Sequence, residues 1–179
     1  MTRFSEGYLA FEFGPRWQVI KLDDHPDYRN RLEKQAGAKA VDFLAVFDKR
    51  ELYLIEVKDF RRDRIATKER LLRGELAIEL AKKVRDSLAC IIGAYRTSSR
   101  PEEWQPYATL LCNPKRRIKV VLWLEYELPP HPPARKKVMF SVRANMFKRR
   151  LAWLTPQLFV FNLDNPGLLD VKVSNLPRP

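Results

Sequence analysis

The stretch that decides the fold is Ala40-Val41-Asp42-Phe43-Leu44-Ala45-Val46-Phe47-Asp48-Lys49-Arg50-Glu51-Leu52-Tyr53-Leu54-Ile55-Glu56-Val57-Lys58. Two short runs of β-branched and aromatic residues flank a charged connector, the signal of a β-hairpin. Side chains alternate faces along a strand, so Glu56 and Lys58 point one way and Val57 the other. A three-residue loop at Asp48, Lys49 and Arg50 pairs Phe47 with Glu51 and sets Asp42 opposite Glu56. An even-numbered loop would turn Asp42 to the other face. Charges in a strand ordinarily mark its solvated side. Here Leu44 and Val46 share the face of Asp42, and Leu52 and Leu54 that of Glu56. A carboxylate at the end of an apolar face needs a partner or a metal.

Two hard carboxylates beside an ammonium suit Mg²⁺, which keeps several waters and completes its shell with phosphate oxygens. Such an ion acidifies a bound water and neutralises phosphate charge, and a lysine orients or deprotonates the attacking water. Asp42 followed fourteen residues later by Glu56-Val57-Lys58, in the strings AVDFLAVF and LYLIEVKDF, resembles the motif of the PD-(D/E)xK nuclease superfamily. The fullest pattern has proline before the aspartate, where this chain has Val41. The resemblance implies a restriction-endonuclease-like fold and a Mg²⁺-dependent phosphodiesterase, with Mn²⁺ able to substitute. By the same resemblance Asp42 and Glu56 ligate the metal together with the carbonyl of Val57, and Lys58 acts on the water and on developing charge.

The bulk numbers agree with a globular chain. Its 179 residues suit one domain spanning 1–179, with 45% hydrophobic and 31% charged residues. No apolar run is long enough for a membrane span, and the start Met1-Thr2-Arg3-Phe4-Ser5 lacks a secretory core, so a cytoplasmic protein is expected. Cys90 and Cys112 read as packed thiols, and His25 and His131 lie far apart in proline-flanked loops, which argues against a histidine-based centre. The net charge of +12, from 34 basic and 22 acidic residues, points to a polyanionic partner, most simply nucleic acid.

Residues 4 to 13 read as a helix with Ser5 as N-cap and a stripe of Phe4, Tyr8 and Phe11, although an extended segment is also compatible. In the resembled family a helix precedes the first strand and can supply a further acidic ligand. Glu6 is the candidate here and Glu12 the alternative. Residues 16 to 22 read as a strand, followed by a turn-rich segment with one helical turn near Tyr28. There Asp23, Asp24, Asp27 and Glu33 look like solvated loop charges.

Arg61, Arg62 and Arg64 follow the motif directly and are expected to hold substrate backbone. Residues 75 to 96 give the clearest helix, with Glu79–Lys83 and Lys82–Asp86 as i,i+4 pairs on its polar side. The resembled family often projects a polar residue from this helix into the site. Residues 97 to 106 read as a loop, 117 to 128 as a buried strand, and 134 to 154 as a basic helix carrying Lys136, Lys137, Arg143, Lys148, Arg149 and Arg150. A strand at 158 to 162 and a short terminal strand close the chain.

The expected architecture is α/β: a restriction-endonuclease-like core with a central mixed sheet flanked by helices, extended by a basic helix and strand. The expected activity is metal-dependent hydrolysis of phosphodiester bonds in DNA, without membrane attachment. Cutting both strands of a duplex would call for a homodimer. Two alternatives stand beside it: a non-catalytic nucleic-acid-binding module on the same fold, and a nuclease directed at RNA.

Overall fold

A computed structural model describes residues 1–35, 37–61, 74–125, 145–168 and 170–177. The strands are β1 (Thr2–Glu6), β2 (Leu9–Phe13), β3 (Trp17–Lys21), β4 (Phe43–Phe47), β5 (Glu51–Asp59), β6 (Arg117–Glu125), β7 (Leu158–Phe161) and β8 (Val171–Asn175). The helices are α1 (Glu75–Thr97), α2 (Pro101–Leu111) and α3 (residues 145–151), with one π-helical turn at Tyr28–Leu32.

Strands β3-β4-β5-β6-β7 form a mixed sheet in that order. The first three run as an antiparallel meander, and β6 and β7 continue it in parallel. The parallel step from β5 to β6 is made possible by the crossover that contains α1 and α2. The hairpin closes with Phe47 opposite Glu51. Asp48 and Lys49 take positive φ (49° and 55°), so the three-residue connection forms as its length demands.

The period-two pattern sorts the core onto the two faces of this sheet. Leu44, Val46, Leu52 and Leu54 point to the helices, against Leu80, Val84, Ile91, Trp104 and Leu151. Phe43, Ala45, Phe47, Tyr53 and Ile55, with Trp17 and Trp123 of the same sheet, point the other way, against Leu9, Phe11 and Phe13 of a second layer. That second layer is a small antiparallel sheet in the order β1-β2-β8. Helices therefore cover one face of the central sheet and a three-stranded sheet covers the other, in place of the helices expected on both. The α/β architecture with a mixed five-stranded sheet stands.

Three expectations need correction. Residues 2–13 form a β-hairpin, not a helix: Glu6 pairs with Leu9 across a two-residue turn whose Gly7 has φ 56°. Leu9, Phe11 and Phe13 alternate inward, and burying three such side chains outweighs the single cap that Ser5 would offer. Residues 101–106, expected to belong to a loop, are helical and open α2: Pro101 starts it, Glu102 and Glu103 sit in its first turn, and Trp104, Tyr107 and Ala108 fill its buried face. Cys90 is a packed thiol, but Cys112 is exposed. Among the described residues no helix is long and apolar enough to cross a membrane.

Candidate metal and phosphate site

The site lies at the open end of the β4–β5 hairpin. Asp42 immediately precedes β4, and its carbonyl accepts from Leu22 N–H at 2.8 Å, extending the β3–β4 pairing by one residue. On the other side its carboxylate Oδ2 accepts from Val57 N–H at 2.6 Å. Asp42 is thus clamped between β3 and β5, 5% exposed, beside a Glu56 that is 1% exposed. Val57 was expected to serve through its carbonyl; its N–H is the group that touches a site carboxylate.

Three carboxylates converge here. Oxygen atoms of Glu6, Asp23 and Asp42 lie within 4.8 Å of one another. Glu6 arrives from the end of β1, where Lys21 Nζ holds it at 3.0 Å and also bonds the carbonyl of Ser5 at 3.1 Å. Glu12, the alternative, pairs with Arg3 across the β1–β2 hairpin instead. Asp23 follows directly on Leu22, and one of its oxygens, Oδ1, is buried without a hydrogen-bond partner. Nothing in the sequence singles out Asp23, because its place depends on how the turn after β3 folds back on Asp42.

Glu56 is held differently. Its Oε1 lies 2.7 Å from Lys83 Nζ and 2.9 Å from Lys58 Nζ, and Oε2 accepts from Lys83 at 2.9 Å. Lys58 also reaches Glu79 Oε1 at 3.1 Å, and Lys83 lies 3.7 Å from Asp42 Oδ1. Glu79 and Lys83, one turn apart on α1, therefore face the site and meet Lys58 and Glu56, rather than forming the exposed helix pair that their spacing suggests. Lys82 is exposed, and Asp86 takes Arg85 and the backbone N–H of Lys39, not Lys82.

The electrostatics follow from this crowding. Burial first, then the charge of Glu56, push the Asp42 carboxyl up to about 8, against the opposing pull of Lys83 and the Val57 N–H. Burial, with Glu6 and Asp24 nearby, raises Asp23 to about 6. Burial alone would lower Lys58, but Glu56 and Glu79 overcome it and hold the ammonium above the ordinary lysine range. Lys58 is therefore a firm cation. It can donate hydrogen bonds to an anion and is poorly suited to act as a base.

A hard divalent ion fits this donor set. Three carboxylates, one with an orphaned buried oxygen and one whose ionisation is opposed by burial and then by the charge of Glu56, form an oxygen cage that a cation would complete. Glu6, Asp23 and Asp42 would hold it, with Glu56 adjacent but engaged by two lysines. Glu125, on the Trp123 face of β6, is by contrast engaged: its Oε1 accepts from Trp123 Nε1 at 2.9 Å and Leu163 N–H at 2.7 Å.

Of the residues expected to hold nucleic acid, Arg61 is turned inward: its guanidinium bonds Asp59, the last residue of β5, and Asn175 of β8 at 2.6 Å. Lys148, Arg149 and Arg150 are exposed on α3. Arg62, Arg64, Lys136, Lys137 and Arg143 lie outside the described residues.

No protein-family model matches the chain, and no solved structure matches it. It is 28% identical over 154 residues to a cysteine–tRNA ligase of Neisseria meningitidis serogroup A, an alignment covering 70% of this chain. The chain spans 21% of that protein's length.

Proposed function

We propose that this protein is a Mg²⁺- or Mn²⁺-dependent nuclease of the PD-(D/E)xK type, hydrolysing phosphodiester bonds in DNA on a restriction-endonuclease-like core. The observation that carries the reading is the meeting of Asp42 with Glu6 and Asp23 on one side and with Glu56, Lys58 and Lys83 on the other. The order of three antiparallel strands, a long helix and a parallel strand beside the third supports it.

A bound divalent ion would supply Lewis-acid charge to the phosphate and an acidified water. The chain's own residues do the rest. The Val57 N–H fixes the Asp42 carboxylate, and Lys21 fixes Glu6. Lys58, kept protonated, offers its free N–H to a phosphate oxygen as negative charge grows there. Lys83 holds Glu56 in place and draws the Asp42 carboxyl towards ionisation.

The test is incubation of the purified protein with supercoiled and linear DNA in Mg²⁺ or Mn²⁺, beside Asp42→Ala and an EDTA control. The expected outcome is metal-dependent cutting that the variant lacks while it still folds. DNA binding without cutting in either metal would leave the non-catalytic binding module. An RNA-directed nuclease is the second reading. The likeness to a protein whose name includes tRNA favours it, and cutting of RNA but not DNA by the same site would establish it.

A further inference from the structure

The chain has four tryptophans, and they divide three to one. Trp17, Trp104 and Trp123 are 7%, 0% and 0% exposed, whereas Trp153 is 60% exposed. Exposure of so large an apolar ring is costly unless something covers it. Looseness does not explain it, because the backbone on either side is pinned. Leu154 and Thr155 N–H both bond the carbonyl of Leu151, at 2.9 and 3.0 Å, and Thr155 Oγ1 donates to Ile118 of β6 at 2.7 Å. Leu151 and Thr155 are buried. The turn is held to the core from both ends and presents Trp153 outward.

The surroundings of this ring are cationic. Phe147 and Leu151 anchor α3 in the core, four residues apart, which turns Lys148, Arg149 and Arg150 to solvent. The bond from Thr155 to Ile118 brings the same turn alongside the start of β6, where Lys115 and Arg116 are exposed. None of these five cations has an ion pair among the described residues. Two basic groups near that end of the sheet are by contrast paired: Lys119 meets Glu51 at 2.7 Å and Arg16 meets Asp48 at 3.2 Å.

An exposed indole on a pinned turn, with unpaired lysines and arginines on the segments that flank that turn, matches the chemistry of an unpaired polynucleotide strand. Base faces stack on the ring whatever the sequence, and the cations follow the phosphates. A fully paired duplex hides those faces. We propose that Trp153, with Lys148, Arg149, Arg150, Lys115 and Arg116, is a docking surface for single-stranded nucleic acid. This deepens the nuclease reading and rests on it for the chemistry: the substrate class becomes a strand with an unpaired segment.

Three buried tryptophans make the fourth a clean reporter. Wild-type protein in EDTA, where nothing is cut, is titrated with an oligothymidylate of about twelve nucleotides while its tryptophan fluorescence is followed. Quenching is expected, with Trp153→Phe abolishing the quench but keeping most of the affinity by anisotropy. Trp153→Ala is expected to weaken binding about tenfold or more. Replacing Lys148, Arg149 and Arg150 together by alanine is expected to reduce the salt slope of log K by about 2.

Unchanged affinity in Trp153→Ala overturns the proposal. So does a blue shift on anionic lipid vesicles with no response to the oligonucleotide, which would assign the surface to a membrane. The two readings fail separately. Metal-dependent cutting of single strands that is indifferent to Trp153 leaves the nuclease and removes this surface. Trp153-dependent binding without cutting in either metal leaves this surface and removes the nuclease.

Discussion

The β4–β5 hairpin carries carboxylates at both ends, half-buried Glu51 at the turn and buried Asp42 and Glu56 at the open end. At the turn, Glu51 accepts from Lys119 at 2.7 Å and from Tyr53 OH at 3.1 Å. Burial would raise its pKa, but these partners win and lower it. At the open end, Asp42 meets Glu6, Asp23 and Glu56, and burial with like charge wins, holding the carboxyl up at about 8. A carboxylate whose neighbours already balance it is part of the scaffold. One whose neighbours repel it stores unfavourable free energy that a cation can release.

The largest effect expected from this contrast belongs to Asp42→Asn. The amide keeps an acceptor for Val57 N–H but cannot ionise, so cleavage should fall by about 10³-fold or more. Stability should move the other way. The unfolded chain releases the Asp42 proton near pH 4, about the free aspartate value, and the folded chain near 8. Between those values the folded state holds the extra proton, so metal-free wild type should lose stability as pH rises through that window. In Asp42→Asn that loss should be smaller, leaving the variant more stable than wild type at pH 8 by an amount on the order of 5 kcal/mol. Urea melts at pH 5 and pH 8 decide it; parallel pH dependence in the two proteins would mean that Asp42 ionises freely.

Lys83→Met probes the same end more gently. Without the ammonium that lowers Asp42, the acid limb of the rate profile should move up by about one pH unit. A pH–rate series at fixed Mg²⁺ checks it, and an unmoved limb would place Lys83 outside the working site.

The smallest effect should come from the turn end. Glu51→Gln removes one half of a satisfied pair and should cost about 1 kcal/mol in a thermal melt. Cleavage should be unchanged; a large loss of activity would dissolve the distinction between the two ends.

Much of this was legible in the chain because the relevant signals are local. A three-residue connection at Asp48–Lys49–Arg50 sets the register by its length, and α1 announced itself through Ala77, Leu80, Val84 and Ile91 at helical spacing. Glu6 was found as a candidate on the wrong element, since Phe4, Tyr8 and Phe11 fit a helical stripe as well as Leu9, Phe11 and Phe13 fit a strand. Gly7 at the turn decides between them only once the β8 pairing is known. Asp23 escaped because a carboxylate in a polar turn resembles every solvated one, and its burial arises from chain segments far away in sequence. Glu79 and Lys83 were visible as a pair but not as two separate arms reaching β5. Pro106 obscured α2, whose stripe of Trp104, Tyr107 and Ala108 spans it.

One helix touches both halves of the site. Asp86 accepts from the N–H of Lys39 at 3.1 Å and Ser87 Oγ from that of Val41 at 3.0 Å, just before Asp42. One and two turns earlier, Lys83 and Glu79 grip Glu56 and Lys58. The amides of residues 39 and 41, which no strand protects, should therefore exchange with solvent only when α1 itself lets go, and at its rate. Ligand arms on separate strands are thereby made one cooperative unit, assembled or released together by a single opening event.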